Sequence, residues 1–296
     1  MSRNIALVLA TITAIIYGVS FTIAKDVMPT YIKPYGFILL RVFGATILFW
    51  ISGLFIKKEK IELKDFLQIF LAAFFGVALN MLSFFKGLSM TTPISGAVMM
   101  VTTPILVLTF ASMFLGEKAT FKKIAGIFIG LIGAIILIMY GKNVNNGNNE
   151  LLGNLLVFIN AASFALYLII VKSLTSKYHP LTFVKWLYLF GLIMVIPFGF
   201  EQVNDVDFGL IPNNILYKIS FIVIFTTFIT YLFNLLAIRK LKPTTVSIFI
   251  YLQPVIATIY ALVVKSDNLN NVKIIATLLI FVGVYLVTTK SKLKIN

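Results

Sequence analysis

The chain has 296 residues, of which 60% are apolar and only 12% charged, and its mean hydropathy is +1.01. This composition excludes a soluble globular domain and indicates an integral membrane protein, and the absence of cysteine excludes disulfides and thiol chemistry. The formal net charge of +15 suits anionic lipid headgroups at a membrane surface without a nucleic-acid partner.

Apolar runs without Asp, Glu, Lys or Arg recur along the whole chain. Most approach the roughly 20 residues that span a ~30 Å hydrocarbon core. Two shorter runs become complete spans when Arg41 and Lys185 are placed inside them. We therefore predict an all-α integral membrane protein with ten transmembrane helices. The predicted spans lie near residues 4–24, 34–56, 66–86, 93–115, 122–140, 151–171, 181–200, 216–238, 243–264 and 272–289.

The distribution of basic residues predicts the orientation of these spans. If the N-terminus is cytoplasmic, the inside segments hold more than twice as many Lys and Arg residues as the outside loops. This bias is the positive-inside rule. We predict a multi-pass protein of the cytoplasmic (inner or plasma) membrane with both termini in the cytoplasm. Its predicted partners are the lipid bilayer and a small-molecule substrate, with no nucleic acid and no prediction of oligomeric state.

An internal repeat organises the chain around its midpoint. The Asn- and Gly-rich stretch 141–150 divides the predicted spans five and five. Adding 150 to the numbers of Pro93 and Pro104 gives Pro243 and Pro254. The same ungapped offset pairs Glu117 with Asp267, Lys123 with Lys273 and Gly133 with Gly283. We predict a first five-helix repeat at 1–140, a connecting loop at 141–150 and a second five-helix repeat at 151–296, in one membrane domain.

An odd number of helices in each repeat has a consequence for function. The second repeat enters the membrane from the opposite side, so the repeats are inverted. Inverted repeats are typical of secondary transporters, whose substrate site lies near the midplane between the halves.

Three segments carry a resemblance to a known family. Residues 93–137 combine a proline inside a helix, Leu-Gly-Glu at the helix end and a Gly-rich helix, and residues 251–287 have a similar pattern. The sequence YGVSF at 17–21 is similar to a Trp-Gly-x-x-F element, with Tyr17 in place of Trp. These motifs resemble EamA-type members of the drug/metabolite transporter superfamily. The second half departs from the pattern, because Ser266-Asp267 replaces Gly-Glu and its last helix has one Gly rather than three.

This resemblance covers essentially the whole chain. It implies ten helices with internal duplication and the export or exchange of small metabolites, amino acids among them. It also implies that the first, third, fourth, sixth, eighth and ninth spans line a central cavity.

Chemistry within the predicted spans is sparse. All ten acidic residues are predicted to lie in loops, so no midplane carboxylate is available as an ion relay. The single histidine, His179, is predicted to be a solvated loop residue. Because no catalytic constellation can be assembled inside the membrane, the protein is not predicted to be an enzyme, and no metal or cofactor is predicted.

Three residues are candidates for a gate or a helix break. Arg41 lies about 10 Å inside the second span at the ~1.5 Å rise of a helix. It either faces a substrate or an outer gate, or extends toward the headgroups. Pro104 and Pro254 fall at mid-depth in repeat-related spans, where each removes a helical hydrogen bond. These breaks either mark the centre of the transporter or serve packing alone.

Polar and pliable residues near the midplane are candidates for the substrate cavity. Asn and Gln side chains are costly in lipid and should find partners inside the bundle, and Met offers an adaptable apolar surface. The predicted cavity residues are Tyr17, Asn80, Met100, Thr103, Asn160, Tyr231, Tyr251 and Gln253.

These observations together predict a secondary transporter of small metabolites that works by alternating access. The predicted direction is export, and the alternative is import of small metabolites. A membrane enzyme or scaffold that acts on lipid is the remaining alternative from another class.

Overall fold

The computed structural model describes residues 1–90, 99–139, 150–263 and 271–289. Within these ranges the chain forms helices joined by turns, and none of the described residues forms a strand. Among the described residues, six helices are long and apolar enough to cross a membrane, and shorter apolar helices lie at Thr103–Leu115, Pro243–Ile256 and Ile274–Thr288. The all-α membrane class is confirmed. The count of ten spans stays a prediction, and Pro93 and Asp267 lie outside the described residues.

The α-helices are numbered here in chain order. They are α1 (Arg3–Val27), α2 (Pro34–Gly53), α3 (Leu63–Ala73), α4 (Leu79–Met90), α5 (Thr103–Leu115), α6 (Phe121–Met139), α7 (Glu150–Lys177), α8 (Pro180–Asn204), α9 (Asn213–Phe221), α10 (Thr230–Lys240), α11 (Pro243–Ser247), α12 (Leu252–Val263) and α13 (Asn271–Thr288). π-helical segments join α3 to α4 (Phe74–Ala78) and α9 to α10 (Ile222–Ile229). 3₁₀ segments precede α9 (Phe208–Leu210) and join α11 to α12 (Ile248–Tyr251).

Several helices start and end where the sequence predicts a boundary. Pro34, Pro180 and Pro243 each open a helix, at a position where the missing amide hydrogen costs nothing. Gly116 ends α5 with a left-handed φ of 62°, which glycine adopts without strain.

The prediction that every acidic residue lies in a loop was wrong. Asp26 lies in the last turns of α1, Asp65 in the first turn of α3 and Glu201 in the last turn of α8. The helices continue past the apolar runs because the helical hydrogen-bond pattern is not confined to lipid. A charged side chain at such a helix end reaches water or an ion partner at little cost.

Close backbone approach joins the two halves along α6 and α13. A Cβ atom added to Gly283 would lie 2.6 Å from the carbonyl oxygen of Gly126 and 2.7 Å from the Cα atom of Gly130. A Cβ added to Gly133 would lie 2.8 Å from the carbonyl oxygen of Ala276. These glycines therefore allow the two helix backbones to touch, as in other membrane helix pairs with small residues at the contact.

Helix α1 packs with one face against α10 and α12. Its small residues Ala6, Ala10 and Ala14 are buried. A Cβ atom added to Gly18 would lie 2.7 Å from the Cβ atom of Ile256 in α12. Gly18 thus allows α1 to pack closely against α12.

An aromatic cluster joins α2 to α8. The rings of Trp50 and Trp186 lie 5.1 Å apart in an edge-to-face arrangement, and Phe66 packs against Trp186. The Lys185 ammonium lies 5.2 Å from the centroid of the Trp50 ring. Lys185, which the sequence places inside one of the two shorter apolar runs, therefore lies on an aromatic face at this helix contact.

Polar contacts collect at two opposite ends of the bundle. Arg3 donates to the carbonyl of Thr288, so the start of α1 and the end of α13 lie side by side. We call this end, which also holds the turns at 54–62, 116–120 and 241–242, the terminal face. The opposite face holds the turns at 28–33 and 205–212, where Lys33 pairs with Asp205 at 2.9 Å.

At the terminal face a carboxylate holds the start of α8. Glu59 accepts hydrogen bonds from the amide of His179 at 2.8 Å and the hydroxyl of Thr182 at 2.7 Å. Partial burial opposes its ionisation, but these hydrogen bonds outweigh that effect and lower the pKa of the Glu59 carboxyl. His179 itself is the residue that caps α8, accepting a hydrogen bond from the amide of Leu181. It is therefore an ordered cap rather than a freely solvated side chain.

Candidate substrate cavity

A cavity of about 540 Å³ lies between the two halves of the chain. Its lining comes from α1, α2 and α4 of the first half and from α7, α10, α11 and α12 of the second. The lining follows α1 from Ala10 to Ala24 and includes Met28, Pro29 and Pro34, at the opposite face. Its described residues include none from the turns of the terminal face.

Most of the predicted site residues lie on this cavity. Its lining includes Tyr17, Arg41, Asn80, Met100, Asn160, Tyr231 and Gln253. Thr103, Tyr251, Pro104 and Pro254 are not among its lining residues.

The structure places Thr103 and Tyr251 outside the described lining of this cavity. Thr103 is fully buried, and its hydroxyl points back to its own chain. The ring of Tyr251 is also fully buried and lies against Gly130 of α6, where an added Cβ atom would be 2.5 Å from the ring. Sequence position predicts the depth of a residue in a span, but helix rotation decides which neighbour its side chain meets.

The π-helical segment Phe74–Ala78 is held open by side chains of other helices. A π turn leaves backbone carbonyls out of line with the α-helical pattern. The carbonyl of Phe75 accepts a hydrogen bond from the Ser163 hydroxyl at 2.6 Å, and that of Gly76 accepts one from the Tyr231 hydroxyl at 2.7 Å. Because these donors lie in α7 and α10, the wide turn of the first half is tied to two helices of the second.

The second π-helical segment, Ile222–Ile229, anchors polar groups of the cavity. The Thr227 hydroxyl donates to the carbonyl of Ile222 at 2.9 Å and accepts from Nε of Arg41 at 3.1 Å. The hydroxyls of Ser20 and Thr226, both on the cavity, lie 2.6 Å apart. This segment thus positions the buried arginine and joins it to α1.

A reciprocal amide pair joins α4 to α7 at the cavity wall. The side-chain amide of Asn160 donates to the backbone carbonyl of Asn80 at 2.7 Å, and that of Asn80 donates to the carbonyl of Asn160 at 3.3 Å. Both amide groups are therefore fixed in orientation. Within the described part of the chain, Oδ1 of Asn160 and the hydroxyl of Thr13 are buried and have no hydrogen-bond partner.

The carbonyl that loses its helical donor at Pro104 finds another donor in a neighbouring residue. Residues 101–102 form a turn, and α5 begins at Thr103. Pro104 has no amide hydrogen for the carbonyl of Met100, and the Thr103 hydroxyl donates to that carbonyl at 2.6 Å. In the second half, the 3₁₀ segment Ile248–Tyr251 precedes Pro254 at the corresponding place. The chain thus changes helix type shortly before each of these prolines, in both cases next to the cavity.

Replacing Thr103 by Val, which has nearly the same shape, is expected to destabilise the protein by about 1–3 kcal/mol, because the buried carbonyl of Met100 loses its donor. The measurement is the apparent unfolding temperature of the purified protein in detergent. Thr109→Val is the matched control in the same helix, since the Thr109 hydroxyl is exposed and bonds a carbonyl within an intact helical turn. Equal effects of the two changes would contradict the role given to Thr103.

The sequence prediction missed several cavity residues, among them Thr13, Ser20 and Thr226. Thr13 and Ser20 lie one helical turn before and after Tyr17, so their spacing on one face of α1 was a signal that could have found them. Thr226 gave no such signal, because its orientation depends on the π-helical segment that contains it.

Comparison with known proteins gives the cavity its family context. The model of the EamA-like transporter family matches the chain twice, over residues 4–139 and 151–289. The chain belongs to the EamA-like transporter family. This family is part of the drug/metabolite transporter superfamily, so the resemblance carried by the proline and Leu-Gly-Glu motifs is confirmed.

Relatives of this EamA-like chain extend over nearly its whole length. It is 26% identical over 283 residues to an uncharacterized transporter of Archaeoglobus fulgidus, covering 96% of this chain and 98% of that protein. It is also 26% identical to the uncharacterized transporter YyaM of Bacillus subtilis, covering 92% and 89% of the two chains. A crystal structure with 14% sequence identity shares its fold with a TM-score of 0.79, covering 97% of this chain and 98% of that one. Membrane transport is the activity that these names share.

Proposed function

We propose that this chain is a secondary transporter that exports small metabolites across the cytoplasmic membrane by alternating access. The observation that carries the proposal is a cavity lined by both halves of the chain, with described lining residues in a turn of the opposite face and none in the turns of the terminal face. A site between two halves, accessible from one side at a time, is what alternating access requires.

The proposed architecture is two inverted five-helix repeats, 1–140 and 151–296, joined by the loop at 141–150. The double match of the family model supports the duplication. The π-helical segments that precede α4 and α10, together with the changes of helix type before Pro104 and Pro254, also occupy corresponding places in the two halves. With the positive-inside bias, the terminal face is cytoplasmic and the cavity is open to the outside.

The proposed site consists of the predicted residues that line the cavity, together with Thr13, Ser20 and Thr226. Pro104 and Pro254 act indirectly, by setting the helix breaks beside it. The many exposed apolar side chains of the helices contact the lipid bilayer, and nothing in this arrangement calls on a catalytic group.

Counterflow in liposomes tests this function. Purified protein is reconstituted in vesicles loaded with pooled metabolites, and uptake of the corresponding labelled solutes is measured. We expect at least one small solute to exchange. Lipid turnover without exchange of any solute would overturn the proposal, and higher rather than lower accumulation of the solute in cells that produce the protein would show import.

A blocked cavity provides the matched variant for this assay. Ala24 lines the cavity near the opposite face, so Ala24→Trp is expected to reduce exchange at least tenfold by filling the entrance. Val8 lies on the same helix but is 55% exposed, toward lipid, and Val8→Trp is expected to leave exchange near the wild-type rate. Equal activity of the two variants would place the transport path elsewhere.

A further inference from the structure

The cavity contains one unbalanced charge. Arg41 is only 8% exposed and is the only charged residue among the described residues that line the cavity. An arginine side chain stays protonated in proteins, so this charge is permanent. None of the ion pairs in the described part of the chain includes Arg41.

The guanidinium group is held in place without being neutralised. Its Nε atom donates to the Thr227 hydroxyl, and its central carbon lies 6.0 Å from the Phe37 ring centroid and 5.8 Å from that of Phe85. Aromatic faces orient a cation, but they carry no countercharge. Among the described contacts, no hydrogen bond engages the terminal amino groups of Arg41. Two parallel donors are therefore left to face a bound group.

The rest of the cavity determines what such a group is attached to. Aromatic and Met side chains form much of the wall, including Met81, Phe84, Met100, Phe164 and Phe249. No acidic residue lies among the described lining residues, so no carboxylate is available to pair with an ammonium group on the ligand. The surface thus combines one fixed cation with an extended apolar wall.

We propose that the cavity binds an organic monoanion: a carboxylate that carries an apolar group about as large as a phenyl ring and no amino group. The carboxylate accepts two parallel hydrogen bonds from Arg41, a geometry that the planar guanidinium favours. The apolar body lies against the aromatic and Met wall. This inference rests on the proposed transport function and narrows its substrate class.

Three small probes of similar shape test the proposal. They are 3-phenylpropanoate, its neutral amide 3-phenylpropanamide, and phenylalanine, which adds an ammonium group to the same carboxylate. Binding to the purified wild-type protein is measured by titration calorimetry at pH 7. We expect 3-phenylpropanoate to bind about tenfold or more tightly than either other probe. The amide lacks the carboxylate that pairs with Arg41, and phenylalanine carries an ammonium group for which the described lining offers no acid. Equal or tighter binding of phenylalanine or the amide would overturn the proposal.

Variants then assign the preference to Arg41. Arg41→Gln is expected to weaken 3-phenylpropanoate binding about tenfold or more and to leave binding of the amide nearly unchanged. Lys185→Gln removes another basic residue inside a predicted span, one that lies on Trp50 and not among the cavity residues, and is expected to change neither. An equal loss in both variants would contradict the assignment. If Arg41→Gln does not fold, the wild-type probe series alone decides the proposal.

The substrate-class proposal and the transport proposal can be rejected independently of each other. A protein that exchanges an amino acid or a neutral solute, but does not prefer the carboxylate probe, retains the proposed function and loses this substrate class. A protein that binds 3-phenylpropanoate through Arg41 but exchanges no solute retains the anion site and loses the transport function.

Discussion

Replacing Glu117 by Ala is expected to open the terminal face and to destabilise the protein by about 3–5 kcal/mol. The Glu117 carboxylate pairs with Lys123 and accepts a hydrogen bond from the Thr244 hydroxyl. The two charged side chains are only 3% and 13% exposed. Since Thr244 lies in α11, this contact ties the α5–α6 turn to the other half of the chain. Its loss would leave the Lys123 ammonium buried without an acid.

Site-directed labelling measures this opening, because the chain has no native cysteine. Thr13→Cys places one thiol on the cavity, and a membrane-impermeant maleimide is applied from each side in turn. We expect labelling from the opposite face in the parent and additional labelling from the terminal face after Glu117→Ala. Asp205→Ala is the control: it removes an ion pair whose side chains are 60% and 53% exposed, which contributes little. Similar labelling in both variants would refute a closing role for Glu117.

Gly283→Ala is the second change with a large expected effect. The added Cβ atom would meet the carbonyl oxygen of Gly126 at 2.6 Å and the backbone nitrogen of Gly130 at 2.7 Å. Backbone atoms cannot rotate away as side chains do, so α6 and α13 must separate along their contact. We expect a loss of about 1–3 kcal/mol, at the upper end of that range, because overpacking forces the backbone to move.

The apparent unfolding temperature in detergent measures this loss. Gly53→Ala is the matched control, because its added Cβ atom would meet only the flexible side chain of Lys185, at 3.3 Å. This control is expected to unfold near the wild-type temperature. A stable Gly283→Ala variant would mean that the α6–α13 contact tolerates a wider spacing than the structure has.

The helical class, the helix starts at Pro34, Pro180 and Pro243, and the family follow from local signals in the sequence. Long apolar runs require helices in lipid, and proline restricts where a helix can begin. The two π-helical segments do not follow from such signals. Each depends on hydroxyl groups, such as those of Ser163 and Tyr231, that come from helices distant in sequence.

Among the cavity residues, some positions also follow from local sequence, and others depend on contacts between distant helices. Asn80, Asn160 and Gln253 lie on it, in keeping with the high cost of such groups in lipid. Thr103 and Tyr251 have the same depth but a different rotation, so their side chains meet Met100 and Gly130 instead. The sequence places Arg41 inside a span; only the packing of Phe37, Phe85 and Thr227 around it distinguishes an inward-facing cation from one that extends to the headgroups.

The chain has only two tryptophans, and both lie in the α2–α8 contact, 5.1 Å apart. The tryptophan component of the protein's fluorescence, excited selectively at the long-wavelength edge, therefore originates at one place, which is separate from the described residues that line the cavity. A ligand that changes this emission reports a movement between α2 and α8, rather than its own contact with a fluorophore. Without any label, tryptophan emission thus shows whether ligand binding in the cavity changes the contact between α2 and α8.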